Sequence, residues 1–311
     1  VRIDLHLAAD RGSDLLSRDE QLRITKRLGF EGTPAQRPVE RFMQNYFRHS
    51  SAIAAIANQF VEKHRPQSIT SRVVQFLGSH RAEDVLRVGG EYLDATTEGR
   101  DEVCSDVEQI LKLYLTCALY GVRPAASLAE RIRQTMDETS ADGALSDEAA
   151  EVFLKILGHN GEVGPLLRSM YETGVLEYVV PPMAHARCLL QFNQYHSYTV
   201  DEHSLRAVEA IDDFLREESP VGVACRHVRQ LHILRLALLL HDLGKGFEED
   251  HSDVGKRIAE QMAQRLGLSD RKRNMLVFLV HKHLYMSQLG LRRDTTDPDV
   301  LLPFSQAVGS P

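Results

Sequence analysis

Apolar positions along this chain fall on a helical period far more often than on an alternating one. Between residues 39 and 63, Val39, Phe42, Met43, Tyr46, Phe47, Ile53, Ile56 and Phe60 recur at spacings of three and four, which predicts a long amphipathic helix. The same period predicts helices near 103–121, 126–137, 146–158 and 163–174, with turns at Gly121 and Gly158. Two stretches alternate instead. Ile3, Leu5 and Leu7 predict a short strand, followed by a helix over 18–28 that Gly29 closes, and residues 85–97 predict a strand or hairpin about Gly89-Gly90. Breakers crowd residues 31–38, which read as a linker, and Pro181-Pro182 ends the middle layer.

Four more helices follow. Thr199-Val200-Asp201-Glu202 has the spacing of a capping box, with Thr199 capping and Glu202 reaching back, and it opens a helix through Leu205, Val208, Ile211 and Leu215. The next, over 228–243, is apolar on nearly every side and should be central, with Gly244 as its C-terminal cap. A third, over 252–266, carries Val254, Ile258, Met262 and Leu266 on one stripe and stops at Gly267. A fourth begins after Ser269 and places His283 on the stripe of Leu276, Leu279 and Val280.

Composition narrows the class. With 311 residues, 43% of them apolar, the chain can bury a substantial core, and its length allows two domains or one large one. Its longest apolar run, 233–240, holds Arg235 and falls far short of the roughly 20 residues that span a bilayer, so no membrane partner is expected. Neither a secretory leader nor an initiator Met is visible, and the chain is expected to be a piece of a longer protein. Cys104, Cys117, Cys188 and Cys225 are widely spaced and read as buried thiols of a cytoplasmic protein. A net charge of −7 argues against a general nucleic-acid surface, so any phosphate chemistry should be local.

The candidate chemistry centres on His241-Asp242-Leu243-Gly244-Lys245. An imidazole and a carboxylate at the end of a buried helix need partners, since unpaired burial costs several kcal/mol. One solution is bland: Asp242 caps or forms an ion pair, and His241 donates to a backbone carbonyl. The other is a divalent cation, which takes imidazole nitrogen and carboxylate oxygen together. His203 on the preceding helix, His251 just before the third and His283 on the fourth favour the cation. Four histidines and an aspartate arriving from successive helices point to a metal and phosphate site.

This set resembles the HD superfamily of metal-dependent phosphohydrolases. The runs 198–205, 241–246, 250–255, 283–287 and 292–298 resemble, within it, the bifunctional uridylyltransferase/uridylyl-removing enzymes that modify the nitrogen-regulatory protein PII. Residues 2–7 and 39–48 are similar to the segments that join the nucleotidyltransferase and HD domains of that family. The resemblance implies an all-α fold: residues 1–30 as the trailing edge of a nucleotidyltransferase domain, 31–182 as a helical connector bundle, and 183–311 as an HD domain incomplete at its C-terminal end. It implies His203, His241 and Asp242 as ligands of Mg2+ or Mn2+, with Lys245, His251 and His283 near the scissile phosphate. The reaction implied is hydrolysis of a uridylyl-tyrosine phosphodiester on PII, releasing UMP, in a parent enzyme that also uridylylates PII from UTP and responds to glutamine.

The chain departs from that pattern in two places. The family completes its metal set with an Asp on a later helix, expected beyond Pro311, because Asp294 and Asp297 read as a turn and a helix start. The run Gly246-Phe247-Glu248-Glu249-Asp250 stands where the family commonly has an Arg-Gly-Gly-Asp-like sequence, and is expected as a solvated loop with its carboxylates turned away. Two other readings stay open: a general HD phosphodiesterase or nucleotidase, and a degenerate HD domain serving as a docking module.

Overall fold

A computed structural model describes residues 1–64, 80–81, 85–140, 143–193, 198–292 and 297–309. Among the described residues the fold is 67% helical with one small sheet, the all-α architecture that the periodicity and the resemblance predict. Of the runs carrying the resemblance, residues 293–296, with Asp294, lie outside the described residues.

Three helices open the chain, α1 (Arg2–Ala9), α2 (Arg18–Arg27) and α3 (Pro38–His64). The strand predicted at Ile3, Leu5 and Leu7 is therefore a helical turn. Only Leu5 of the three is buried, while Asp4 pairs with Arg23 and Arg27 of α2. Leu5, Ile24, Val39, Phe42 and Met43 form a small core of their own, and Leu190 and Phe192 pack against it from far along the chain.

The hairpin predicted over 85–97 is present as β2 (Leu86–Gly89) and β3 (Tyr92–Ala95), turning at Gly90 with φ +63°. It lies between β1 (His80–Arg81) and β4 (Arg123–Pro124), the last pairing parallel to β3. Around it run α4 (Gly99–Val103), α5 (Val107–Tyr120), α6 (Ala126–Glu138), α7 (Asp147–Gly158), α8 (Gly164–Glu172) and α9 (Val175–Val179). Pro182 then starts the short α10 (Pro182–Ala186) at its first turn, where the missing N–H loses nothing.

The C-terminal bundle consists of α11 (Val200–Arg216), α12 (Pro220–Arg226), α13 (Leu231–Leu240), α14 (His251–Arg265) and α15 (Asp270–His281), then α16 (Tyr285–Arg292) and α17 (Pro298–Val308). As predicted, α13 is central, packing against α7, α11 and α15. Its one charged interior residue, Arg235, is fully buried. The guanidinium donates to the carbonyls of Leu157, His159 and Gly161 and to Asp212 Oδ1 at 2.7 Å, while Asp212 Oδ2 accepts from the amides of Val163 and Gly164. One buried ion pair thus ties the loop between α7 and α8 to α11 and α13.

Local chemistry differs from the sequence reading at three helix ends. Neither half of the capping box forms: Thr199 makes no side-chain cap bond, and the Glu202 carboxylate turns to Arg168 and Arg206 instead of back to the Thr199 amide. Helix α13 stops at Leu240, and the left-handed residue beyond it is Gly246, φ +84°, rather than Gly244. Gly244 is required for another reason: a Cβ there would sit 2.1 Å from the carbonyl oxygen of His251. His283 lies just past the end of α15 rather than on its stripe. All four cysteines are buried free thiols, and among the described residues no helix is long and apolar enough to cross a membrane.

Candidate metal centre

Five elements deliver the six residues singled out in the sequence to one place. His203 comes from the first turn of α11, His241 and Asp242 from the end of α13, Lys245 from the turn after it, His251 from the first position of α14, and His283 from just beyond α15. The close approach of the 241–244 turn to α14, which Gly244 permits, is what sets His251 beside Asp242.

Asp242 is the hub. Its buried carboxylate faces His203 Nε2 at 3.5 Å and His241 Nε2 at 3.4 Å through Oδ2, and His283 Nε2 at 3.6 Å through Oδ1. Lys245 Nζ donates to Oδ2 at 2.7 Å. Ligand atoms of His203, His241 and Asp242 lie within 4.8 Å of one another, and so do those of Asp242, His251 and His283. The imidazole rings line up, with centroids 5.1 Å apart for His203 and His241, 5.2 Å for His241 and His283, and 5.6 Å for His251 and His283.

Two of these rings have their tautomer fixed. His241 Nδ1 lies 2.7 Å from the Leu238 carbonyl and His283 Nδ1 lies 2.7 Å from the Val280 carbonyl. A carbonyl only accepts, so in each ring Nδ1 carries the proton, and the neutral ring presents an Nε2 lone pair. Both lone pairs then face Asp242 oxygens, and His241 Nε2 also lies 3.2 Å from His203 Nε2. Lone pairs gathered this closely need a positive charge between them, either protons or a cation. The donor set of imidazole nitrogens around one carboxylate, each nitrogen oriented by a second hydrogen bond, fits a divalent metal.

The electrostatics agree. Burial works to raise the Asp242 carboxyl, but a hydrogen bond and charge from His241, which act only while its ring carries a second proton on Nε2, together with the Lys245 ammonium outweigh it and hold its pKa well below the ordinary carboxylate range. Burial lowers the pKa of His283 against the opposing pull of its Val280 hydrogen bond and of Asp242, which favours the neutral ring that can ligate. The bland and the functional readings of the His-Asp pair coexist: His241 does donate to a carbonyl and Asp242 does form an ion pair, yet both still present atoms to the centre.

Beside Lys245 and His251 opens a cavity of about 260 Å³. Ala35, Gln36 and Glu40 line one part, Leu189–Gln191 another, and Gly244–Phe247 with Glu249–His251 the rest. The 31–38 segment, read as a linker, is therefore a wall. Glu249 holds Arg257 in a two-point ion pair, and Glu248 is exposed, so the acidic loop is solvated, although Glu249 still borders the cavity.

His185 escaped the sequence reading. From α10 its Nε2 lies 3.2 Å from the Lys245 carbonyl, and its ring stacks on Phe247 at 4.2 Å. With Leu189 it crowds Gly246 and shapes the turn that presents Lys245. A single histidine in a short helix after two prolines carries no periodic signal that could have marked it.

Residues 1–61 match the sequence model of the GlnD PII-uridylyltransferase family, and residues 200–302 match that of the HD domain. The chain is 32% identical to a bifunctional uridylyltransferase/uridylyl-removing enzyme of Cereibacter sphaeroides, over 100% of this chain and 34% of that protein. It is also 32% identical to one of Ruegeria pomeroyi, over 99% of this chain and 35% of that protein. The chain spans about a third of the length of these curated relatives.

Proposed function

We propose that this HD-domain relative of the bifunctional uridylyltransferase/uridylyl-removing enzymes carries the uridylyl-removing half of the chemistry. Its reaction is metal-dependent hydrolysis of a uridylyl-tyrosine phosphodiester on PII, releasing UMP, within a longer protein that also uridylylates PII from UTP and is governed by glutamine. The buried free thiols suit a reducing cytoplasm. The observation that carries the reading is the convergence of His203 and His241 nitrogens on the buried Asp242 carboxylate, with the His241 tautomer fixed by the Leu238 carbonyl.

His203, His241 and Asp242 hold the divalent ion, Mg2+ or Mn2+. When bound, that ion polarises a phosphoryl oxygen and lowers the pKa of water toward about 7. Lys245 keeps Asp242 ionised and offsets negative charge on the phosphate oxygens. His251 stands at the first position of α14, whose first turn Asp250 caps through the Ser252 amide, and it adds its imidazole at the phosphate end. His283, neutral and tethered through Nδ1, holds Nε2 toward the centre.

The test is release of UMP from uridylylated PII by the full-length protein with Mn2+, compared against free nucleotides. Turnover of several free nucleotides with none on uridylylated PII would support a general nucleotidase instead. Tight binding of PII without turnover of either would make the domain a docking module.

A further inference from the structure

We infer that the cavity beside the metal centre is the subsite for the uracil base and ribose of the leaving nucleotide, with Gln36 and Gln191 reading the base and Glu40 taking the ribose. This rests on the uridylyl-removing reading above and adds to it the residues that select the nucleoside.

The cavity, about 260 Å³, sits a little below the ~300 Å³ at which pockets for drug-sized ligands begin, and so suits one pyrimidine nucleoside rather than a length of peptide. It is continuous with the phosphate end, because Lys245 and His251 belong both to its lining and to the cluster around Asp242.

Both signs of charge border the cavity. Lys245 and His251 belong to the cluster around Asp242, Glu249 and Asp250 are engaged by Arg257 and by the Ser252 amide, and Glu40 comes from α3 on the opposite wall. An anionic phosphate is attracted to the Lys245 ammonium, whereas Glu40 accepts hydrogen bonds from hydroxyl groups. A nucleotide fits with its phosphate at the metal cluster and its sugar toward Glu40. A carboxylate accepting from ribose hydroxyls is a recurrent arrangement in nucleotide sites. Glu40 is set for it, since its carboxylate is held by the amides of Phe192 and Arg37, at 2.9 and 2.8 Å. For the base, a carboxamide offers one N–H and one oxygen, the complement of the N–H and carbonyl edge of uracil. Gln36, placed by Gln44, and Gln191 are the carboxamides in the lining, and Phe247, backed by His185, adds an aromatic surface.

The wall is also built to stay in place. Arg37 donates to the carbonyl of Phe192, Gln44 to that of Arg187 and Arg18 to that of Asn193, which fastens the N-terminal helices to the 187–193 loop across the cavity.

The experiment titrates the Mn2+-loaded chain calorimetrically with UMP, ribose 5-phosphate and inorganic phosphate. UMP is expected to bind about tenfold more tightly than ribose 5-phosphate, the scale of one good amide-to-base pairing. Gln36→Ala and Gln191→Ala should each remove most of that margin while inorganic phosphate binds as before, and Gln191→Glu, which keeps the shape, should do the same. Glu40→Gln should narrow the preference for UMP over its 2′-deoxy form. Equal binding of UMP and ribose 5-phosphate by the unaltered chain, or variants that weaken all three ligands alike or none, overturns the assignment. Failure of inorganic phosphate to bind at all, with no uridylyl removal by the full-length protein, instead overturns the reading on which it rests.

Discussion

Lys245 Nζ lies 2.7 Å from Asp242 Oδ2, the same oxygen that His203 and His241 face. The lysine and a metal held there would therefore draw on one carboxylate, and the ammonium supplies positive charge that a cation would also supply. Lys245→Met should destabilise the metal-free protein by about 3 kcal/mol, the scale for a buried charge that loses its partner. Mn2+ should restore much of that loss. Thermal melts with and without Mn2+ check this, and an unchanged melting temperature in the metal-free variant would refute it.

His241→Ala and Asp242→Ala should abolish measurable Mn2+ binding and lower uridylyl removal at least ~100-fold, beyond what removing the outer partner of a ligand costs. Both variants should keep their helical circular dichroism, since α13 ends before them. Turnover near the unaltered rate in either variant would sink the ligand assignment.

Gly244→Ala brings a Cβ to 2.1 Å from the His251 carbonyl and 2.7 Å from the Gly255 amide, both backbone atoms of α14. The helix must move, and His251 moves with it. Loss of phosphate affinity accompanied by a lower melting temperature is expected, whereas Gly290→Ala, which meets nothing within 4 Å, should leave phosphate affinity unchanged.

Asp212→Ala leaves the buried Arg235 guanidinium without its counter-charge and the amides of Val163 and Gly164 without their acceptor. A loss of about 3–5 kcal/mol is expected by urea denaturation. Arg235→Met, which removes the charge and keeps an apolar stem, should be less harmful when combined with Asp212→Asn than Asp212→Ala is alone.

Much of the fold was legible because core helices repeat their apolar residues every third or fourth position, and α3, α7, α11, α14 and α15 all do. The site was legible because His and Asp on apolar helices are conspicuous. What escaped depends on tertiary contact. Ile3, Leu5 and Leu7 alternate by chance within a short segment that is a helix, docked on α2 through Leu5 and the Asp4 ion pairs. Glu202 sits at capping-box spacing, but Arg168, distant in sequence, outcompetes Thr199 for it. Gly244 and Gly246 are two residues apart, and nothing local says which takes positive φ and which yields to a neighbouring helix. The cavity wall from Ala35 to Glu40 has the composition of a linker, and its role appears only once residues 187–193 fold against it.

Stability should also respond to alkaline pH. Burial pushes the Cys104 thiol up to about 11 from an ordinary value of 9.0. Below about pH 9 the thiol is neutral in both states and its contribution is fully present. Between about 9 and 11 the unfolded chain releases the proton while the folded chain retains it, so stability falls as pH rises. Burial shifts Cys117 in the same direction. Denaturant midpoints at pH 8 and pH 10.5 should show the drop, and Cys104→Ala should lessen it; an identical slope in that variant would refute the attribution.

Each of the rings His241 and His283 is aimed by a carbonyl three residues earlier in its own helix end. Their orientation is thus settled locally, before the bundle closes, and the long-range step is only to bring prepared pieces together. An ion held by His203 and His241-Asp242, as proposed, would act as a removable rivet between α11 and α13, and chelation would amount to withdrawing it. What then loosens is the joint between helices, with the helices themselves intact.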